Sequence, residues 1–84
     1  MLMKIIFTKK ARKQLTSVES GAAKRIRQKI GQYAANPESL VNHVKHLKGS
    51  EYFRLRVGDY RVIFTEAGMV LLIIEVGHRR EVYR

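Results

Sequence analysis

Apolar positions recur along this chain with two different periods. Met3 to Phe7 (Met-Lys-Ile-Ile-Phe) is a short β-prone run and predicts a strand. Thr8 follows as an N-cap for a helix over Lys9 to Val18, in which Ala11, Leu15 and Val18 fall on one face. Lys9, Lys10, Arg12, Lys13 and Gln14 take the other faces. Ser20-Gly21 interrupts the pattern, and a second helix is expected from about Ala22 to Ala35. Its inner stripe is Ala23, Ile26, Ile30 and Tyr33, and its outer face carries Lys24, Arg25, Arg27 and Lys29. Asn36-Pro37 stops it, because the residue before a proline is driven out of the helical region.

Leu40 to Ser50 reads as a connector, pinned to the core by Val44 and Leu47. The period then changes from helical to two. Tyr52 to Val57 alternates apolar and basic, Gly58-Asp59 is a two-residue hairpin turn, and Tyr60 to Glu66 is the next strand. Ala67-Gly68 makes a further turn into Met69 to Val76, which is apolar on both faces and belongs inside the sheet, covered on both sides. A polar tail, Gly77 to Arg84, completes the order βααβββ. The expected fold class is α+β: a single domain over residues 1–84, with a helical hairpin packed on a mainly antiparallel four-stranded sheet.

The hairpin turn fixes a register, and the register groups the arginines. With Gly58-Asp59 as the turn, Arg56 faces Arg61, Leu55 faces Val62 and Phe53 faces Phe64. Side chains alternate between faces. Phe53, Leu55, Val57, Val62 and Phe64 therefore share the helix-covered face, and Arg54, Arg56 and Arg61 share the other. Like charges directly opposite one another are destabilising. An anion held between them is the simplest compensation, and the planar fork of arginine suits phosphate. Glu66 and Glu75 fall on the helix side or at its rim and do not neutralise the cluster. Gly77 permits a change of direction that would bring His78, Arg79 and Tyr83 over the same face.

Composition narrows the chemistry. The chain has 84 residues, with 17 Lys and Arg against 7 Asp and Glu, a net charge of +10. Residues 1–44 hold nine basic and two acidic residues, and residues 45–84 hold eight and five. Nucleic acid is the expected partner of such a small basic body. There is no cysteine, which excludes a disulfide framework, a zinc finger and a thiol nucleophile. No carboxylate pair or metal-ligand cluster stands out, so no metal and no cofactor are expected. The longest apolar run, Met69 to Ile74, is six residues, too short to span a bilayer. The first residues lack the pattern of a secretory signal, so a cytoplasmic protein with no membrane partner is expected.

Three segments together resemble a known family. Leu47-Lys48-Gly49-Ser50, Phe53 to Phe64 (Phe-Arg-Leu-Arg-Val-Gly-Asp-Tyr-Arg-Val-Ile-Phe) and Val76 to Tyr83 (Val-Gly-His-Arg-Arg-Glu-Val-Tyr) are similar to the RelE branch of the RelE/ParE toxin superfamily. The resemblance covers essentially the full chain. It implies the toxin of a type II toxin–antitoxin pair, an endoribonuclease that cuts mRNA in the ribosomal A site. It also implies the site residues: Arg54 and Arg56 on the first hairpin strand, Arg61 on the next, Arg79 after the last strand, and Tyr83. His78 stands where another basic residue often stands, and is with Arg79 a candidate proton donor. The prototype carries lysines where this chain has Arg54 and Arg56, so these two bind phosphate rather than move protons.

The mechanism implied is metal-free transesterification by the RNA's own 2′-hydroxyl, with Tyr83 as base. A free tyrosine titrates near 10, and neighbouring arginines favour its phenolate. Lys24 and Arg27 on the outer helix face, with Lys48, Arg80 and Arg84, are the expected RNA contacts. The implied partners are the ribosome with its mRNA and a cognate acidic, RelB-like antitoxin. Two other readings stand beside this one: a ParE-like inhibitor of DNA gyrase, and a catalytically silent nucleic-acid-binding domain.

Overall fold

The computed structural model describes residues 2–82, with Glu81 and Val82 described by their backbone alone. The elements run β1 (Lys4–Phe7), α1 (Lys9–Ser17), α2 (Ser20–Ala35), a 3₁₀ segment (Pro37–His43), β2 (Val44–His46), β3 (Phe53–Val57), β4 (Tyr60–Ala67), β5 (Val70–His78) and α3 (Arg79–Val82). Among the described residues they form one five-stranded sheet in the order β1-β5-β4-β3-β2, with the β1–β5 pair parallel and the others antiparallel. The α+β class and the helical hairpin are as expected, and the strand count rises from four to five. The added strand is β2, from within the expected connector. Its three residues pair with β3, Lys45 opposite Arg54, and that pairing rather than any run of its own makes it a strand.

Helices α1 and α2 both start on side-chain caps. Thr8 Oγ1 accepts the Ala11 N–H at 3.0 Å, and the Thr8 hydroxyl donates to the Ile74 carbonyl at 3.0 Å, so one side chain starts α1 and ties it to β5. Gln14 Oε1, on the same helix, accepts the Val76 N–H at 2.8 Å. The α2 helix begins two residues earlier than expected. Glu19 accepts the N–H groups of Gly21 and Ala22 at 2.8 and 3.2 Å, so Ser20-Gly21 lies inside the first turn rather than between helices.

The inner stripes of both helices meet the sheet. Ile26, Ile30, Leu55, Val62, Phe64, Leu71, Ile73 and Val76 are each at most 1 % exposed, and Leu40 of the 3₁₀ segment closes one end of this core at 2 %. Phe64 is central: its ring stacks on Phe53 at 5.5 Å and tilts against Tyr33 at 5.1 Å.

The last two strands differ from expectation in three details. The turn between them is Gly68-Met69, with Ala67 paired to Val70 and Gly68 at φ 59°, a conformation that costs glycine little. A bulge passes over Ile74, so that Phe64 faces Ile73 and Ile63 faces Glu75. It lets Ile73 and Val76, three residues apart, both point into the core. Finally, β5 lies inside the sheet as expected but is fully covered on one face only: Leu71, Ile73 and Val76 are buried, whereas Val70, Leu72 and Ile74 are half-buried. None of the described helices is long and apolar enough to cross a membrane.

Candidate active site

The β3–β4 hairpin has the register that its turn predicted. Val57 faces Tyr60, Arg56 faces Arg61, Leu55 faces Val62 and Arg54 faces Ile63. Gly58 takes φ 58° at the turn, where a side chain would be strained. Leu55, Val57, Val62 and Phe64 are buried against the helices. Arg54, Arg56 and Arg61 consequently lie on the open face. Glu66 and Glu75 are engaged elsewhere: Glu66 accepts the Tyr33 hydroxyl at 2.7 Å, and Glu75 pairs with Lys10 at 3.7 Å.

Arg61 is the centre of the cluster. Its Nη1 donates to the carbonyls of Gly58 and Tyr60, both at 3.0 Å, which folds the side chain back over the turn. Its Nε is buried and makes no hydrogen bond among the described residues. Burial first, then the charges of Arg54, Arg56 and Arg79, push its guanidinium below the ordinary arginine value, while Asp59 opposes them. Three further arginines thus act on it electrostatically, and Arg79 does so from α3. The start of α3 is fixed to the same turn, because the Arg79 N–H donates to the Asp59 carbonyl at 2.8 Å.

His78 is not part of this cluster. The β5 strand runs straight through Gly77 for one more pair, with Gly77 opposite Arg61 and His78 opposite Tyr60. Alternation therefore turns His78 to the helix side, away from Arg61. There it lines an open groove of about 600 Å³ with Lys10, Lys13, Gln14, Ser17 and Tyr60. The expectation that His78 joins Arg79 over the arginine face is corrected on this ground. Tyr83 and Arg84 lie outside the described residues.

The expected RNA contacts divide between two sides of the molecule. Lys24 and Arg27 are exposed on α2, beyond the helix layer. Lys48 is exposed in the turn between β2 and β3, and Arg80 on α3. Two basic residues on the arginine side were missed. Lys45 lies opposite Arg54, and with His43, Asn42, Arg54 and Arg56 it lines a polar hollow of about 350 Å³. The run Val44-Lys45-His46-Leu47 does not alternate, so no local signal marks Lys45 as a strand residue. Among the described residues no three His, Asp or Glu side chains gather into a metal-binding group.

The arrangement is a like-charge cluster around a buried, unsatisfied donor. Leaving such a donor unmade costs roughly 1–3 kcal/mol, and an anionic oxygen offsets both that cost and the repulsion. A phosphoryl group fits this description, since several of its oxygens can be held at once.

Known proteins share this frame. The chain matches the family described as ParE toxin of type II toxin-antitoxin system, parDE, over residues 5–83. Toxin RelE3 of Methanocaldococcus jannaschii is 34% identical over 85 residues, covering 96% of either chain. The RelB-RelE antitoxin-toxin complex from Methanococcus jannaschii contains a chain similar at TM-score 0.75 and 32% identity, covering 93% of this chain and 94% of that one. The archaeal RelE-RelB complex from Pyrococcus horikoshii OT3 contains one at TM-score 0.78 and 25% identity, with 94% and 97% covered. By the extent of the family match and the identity to a curated toxin, this chain belongs to the ParE toxin family of type II toxin–antitoxin systems, within the RelE/ParE superfamily.

Proposed function

We propose that this toxin is an endoribonuclease that cuts mRNA in the ribosomal A site without a metal ion. The observation that supports it is the arginine cluster: Arg56 directly opposite Arg61, with Arg54 and Arg79 acting on the same guanidinium. The 2′-oxygen of the RNA attacks the adjacent phosphorus while the bond from phosphorus to the 5′-oxygen breaks. The products are a 2′,3′-cyclic phosphate and a 5′-hydroxyl. Tyr83 takes the proton of the 2′-hydroxyl. Arg61, Arg54 and Arg56 hold the phosphoryl oxygens as they gain charge. Arg79 donates a hydrogen bond to the leaving 5′-oxygen, which takes a proton from solvent water to end as the hydroxyl. With arginines and one tyrosine the site is a slow nuclease alone, and the ribosome supplies the positioning of the RNA. Lys24 and Arg27 dock on ribosomal RNA from the opposite side of the molecule, while Lys48, Lys45, Arg80 and Arg84 follow the mRNA backbone. Both contacts weaken with salt.

An acidic, RelB-like antitoxin is the proposed partner of the free toxin, which acts in the cytoplasm. The relatives crystallised with RelB and the charge of +10 support it. The antitoxin covers the arginine face and the basic helix face; a complex that leaves both open contradicts this.

Primer extension on mRNA translated by purified ribosomes tests the nuclease. Wild type yields cuts within A-site codons. Arg61→Ala lowers cleavage by about 10²–10³-fold, the loss typical of removing one donor to a developing charge. Tyr83→Phe abolishes it with folding intact. A folded wild type that binds ribosomes and cuts nothing overturns the nuclease in favour of a silent domain. One that neither binds ribosomes nor cuts favours gyrase inhibition, the reading that the ParE name of the family suggests.

A further inference from the structure

His78 ends β5, and its ring meets the first turn of α3. The Arg80 N–H donates to His78 Nδ1 at 3.3 Å. The ring stands edge-on to Tyr60, with centroids 5.7 Å apart and planes at 76°. One residue earlier, the Arg79 N–H donates to the Asp59 carbonyl. Two successive backbone donors at the start of α3 are therefore taken by groups outside the helix. A helix of four residues has almost no stability of its own, because nucleation is unfavourable. Where it starts is set by these two bonds.

That start decides where Arg79 goes. Its side chain is exposed, and its charge acts on Arg61. Nδ1 can accept only while it carries a lone pair, so the neutral ring keeps its proton on Nε2. Among the described residues, Lys10 and Lys13 from α1 and Tyr60 from β4 line the same groove as the ring, and the backbone of Arg80 meets it from α3.

We propose that His78 is a positioning residue: its Nδ1 caps the first turn of α3 and thereby holds Arg79 at the arginine cluster, while the ring itself transfers no proton. The kinetic part of this rests on the nuclease reading above; the cap does not.

Two variants separate the roles. His78→Asn supplies an amide oxygen on a short side chain, a favoured cap that transfers no proton. His78→Phe keeps a ring against Tyr60 and removes the acceptor. Amide hydrogen exchange at Arg79 and Arg80 quickens about fivefold in His78→Phe and stays near wild type in His78→Asn, as expected for loss and retention of a cap. Nitrogen NMR of the wild type shows the His78 proton on Nε2. In single-turnover cleavage of ribosome-bound mRNA, His78→Phe slows the step at saturation by roughly 10–100-fold, the scale of a small misplacement, without changing half-saturation. His78→Asn restores the rate, and in an Arg79→Ala background His78→Phe has no further effect.

Cleavage lost equally in both variants with Arg80 exchange unchanged in His78→Asn overturns the proposal and makes the ring a proton donor. Unchanged exchange in His78→Phe also overturns it. A wild type that cuts nothing, with the exchange pattern as expected, overturns the nuclease and supports the cap.

Discussion

On β3 and β4 alternate residues meet opposite fates. Leu55, Val57, Val62 and Phe64 point to the helices and are at most 7 % exposed. Arg54, Arg56 and Arg61, between and opposite them, point to the open face and crowd one another. The two faces share one backbone, one turn and one register. The inner face is built to the ordinary rule, with apolar side chains packed against apolar side chains. The outer face breaks the ordinary rule of cross-strand pairing, which puts opposite charges together. A fold can carry such a cost where the inner face supplies enough burial. The inner face, with Phe64 at its centre, thus carries the packing, and the outer face carries the charge.

The largest effect that sharpens this contrast is on the inner face. Phe64→Ala removes a ring that is 1 % exposed and in contact with Tyr33 and Phe53. It lowers stability by about 3–5 kcal/mol. Urea denaturation checks this, and a loss below 1 kcal/mol contradicts the central place of Phe64.

A smaller effect lies where the inner face meets its polar rim. Tyr33 is 7 % exposed, and its hydroxyl donates to Glu66. Tyr33→Phe costs about 1 kcal/mol at neutral pH. Burial first, then the hydrogen bond to Glu66 and its charge, raise the Tyr33 hydroxyl above its usual 10.0. The folded chain then keeps a proton that the unfolded chain releases. This contribution is full below about pH 10 and is lost as pH rises further. Stability measured from pH 8 to 11 therefore falls less steeply in the variant than in wild type.

The smallest effect has the opposite sign. Arg56→Gln removes the charge directly opposite Arg61. Thermal unfolding shows a gain of about 0.2–1 kcal/mol, the size of a like-charge cross-strand pair. The same variant cleaves more slowly. A loss of stability instead means that the open face is held together by its arginines, and the contrast between the faces fails.

Much of this contrast was legible in the sequence, for local reasons. The Gly58-Asp59 turn sets the hairpin register, and the alternation of Phe53 to Val57 assigns every side chain to a face. The Thr8 cap and the inner stripe of α2 are likewise local signals. What was not legible depends on distant partners. Strand β2 exists because β3 is beside it, so Lys45 stayed hidden in a connector. The start of α2 turns on the Glu19 side chain reaching two amides, whereas Ser20-Gly21 reads as a break. The bulge at Ile74 follows from where Ile73 and Val76 must pack. His78 was placed over the arginines because Gly77 permits a bend, but pairing with β4 carries the strand past it.

The most direct test charges each basic surface in turn. Arg56→Glu with Arg61→Glu reverses the open face, and Lys24→Glu with Arg27→Glu reverses the outer helix face. Single-turnover cleavage of ribosome-bound mRNA is measured as a function of ribosome concentration. The first pair abolishes cleavage at saturation while ribosome binding persists. The second pair raises the ribosome concentration needed and leaves the saturated rate unchanged. Cleavage that survives at saturation in the first pair and disappears in the second contradicts the assignment of the chemistry to the arginine face.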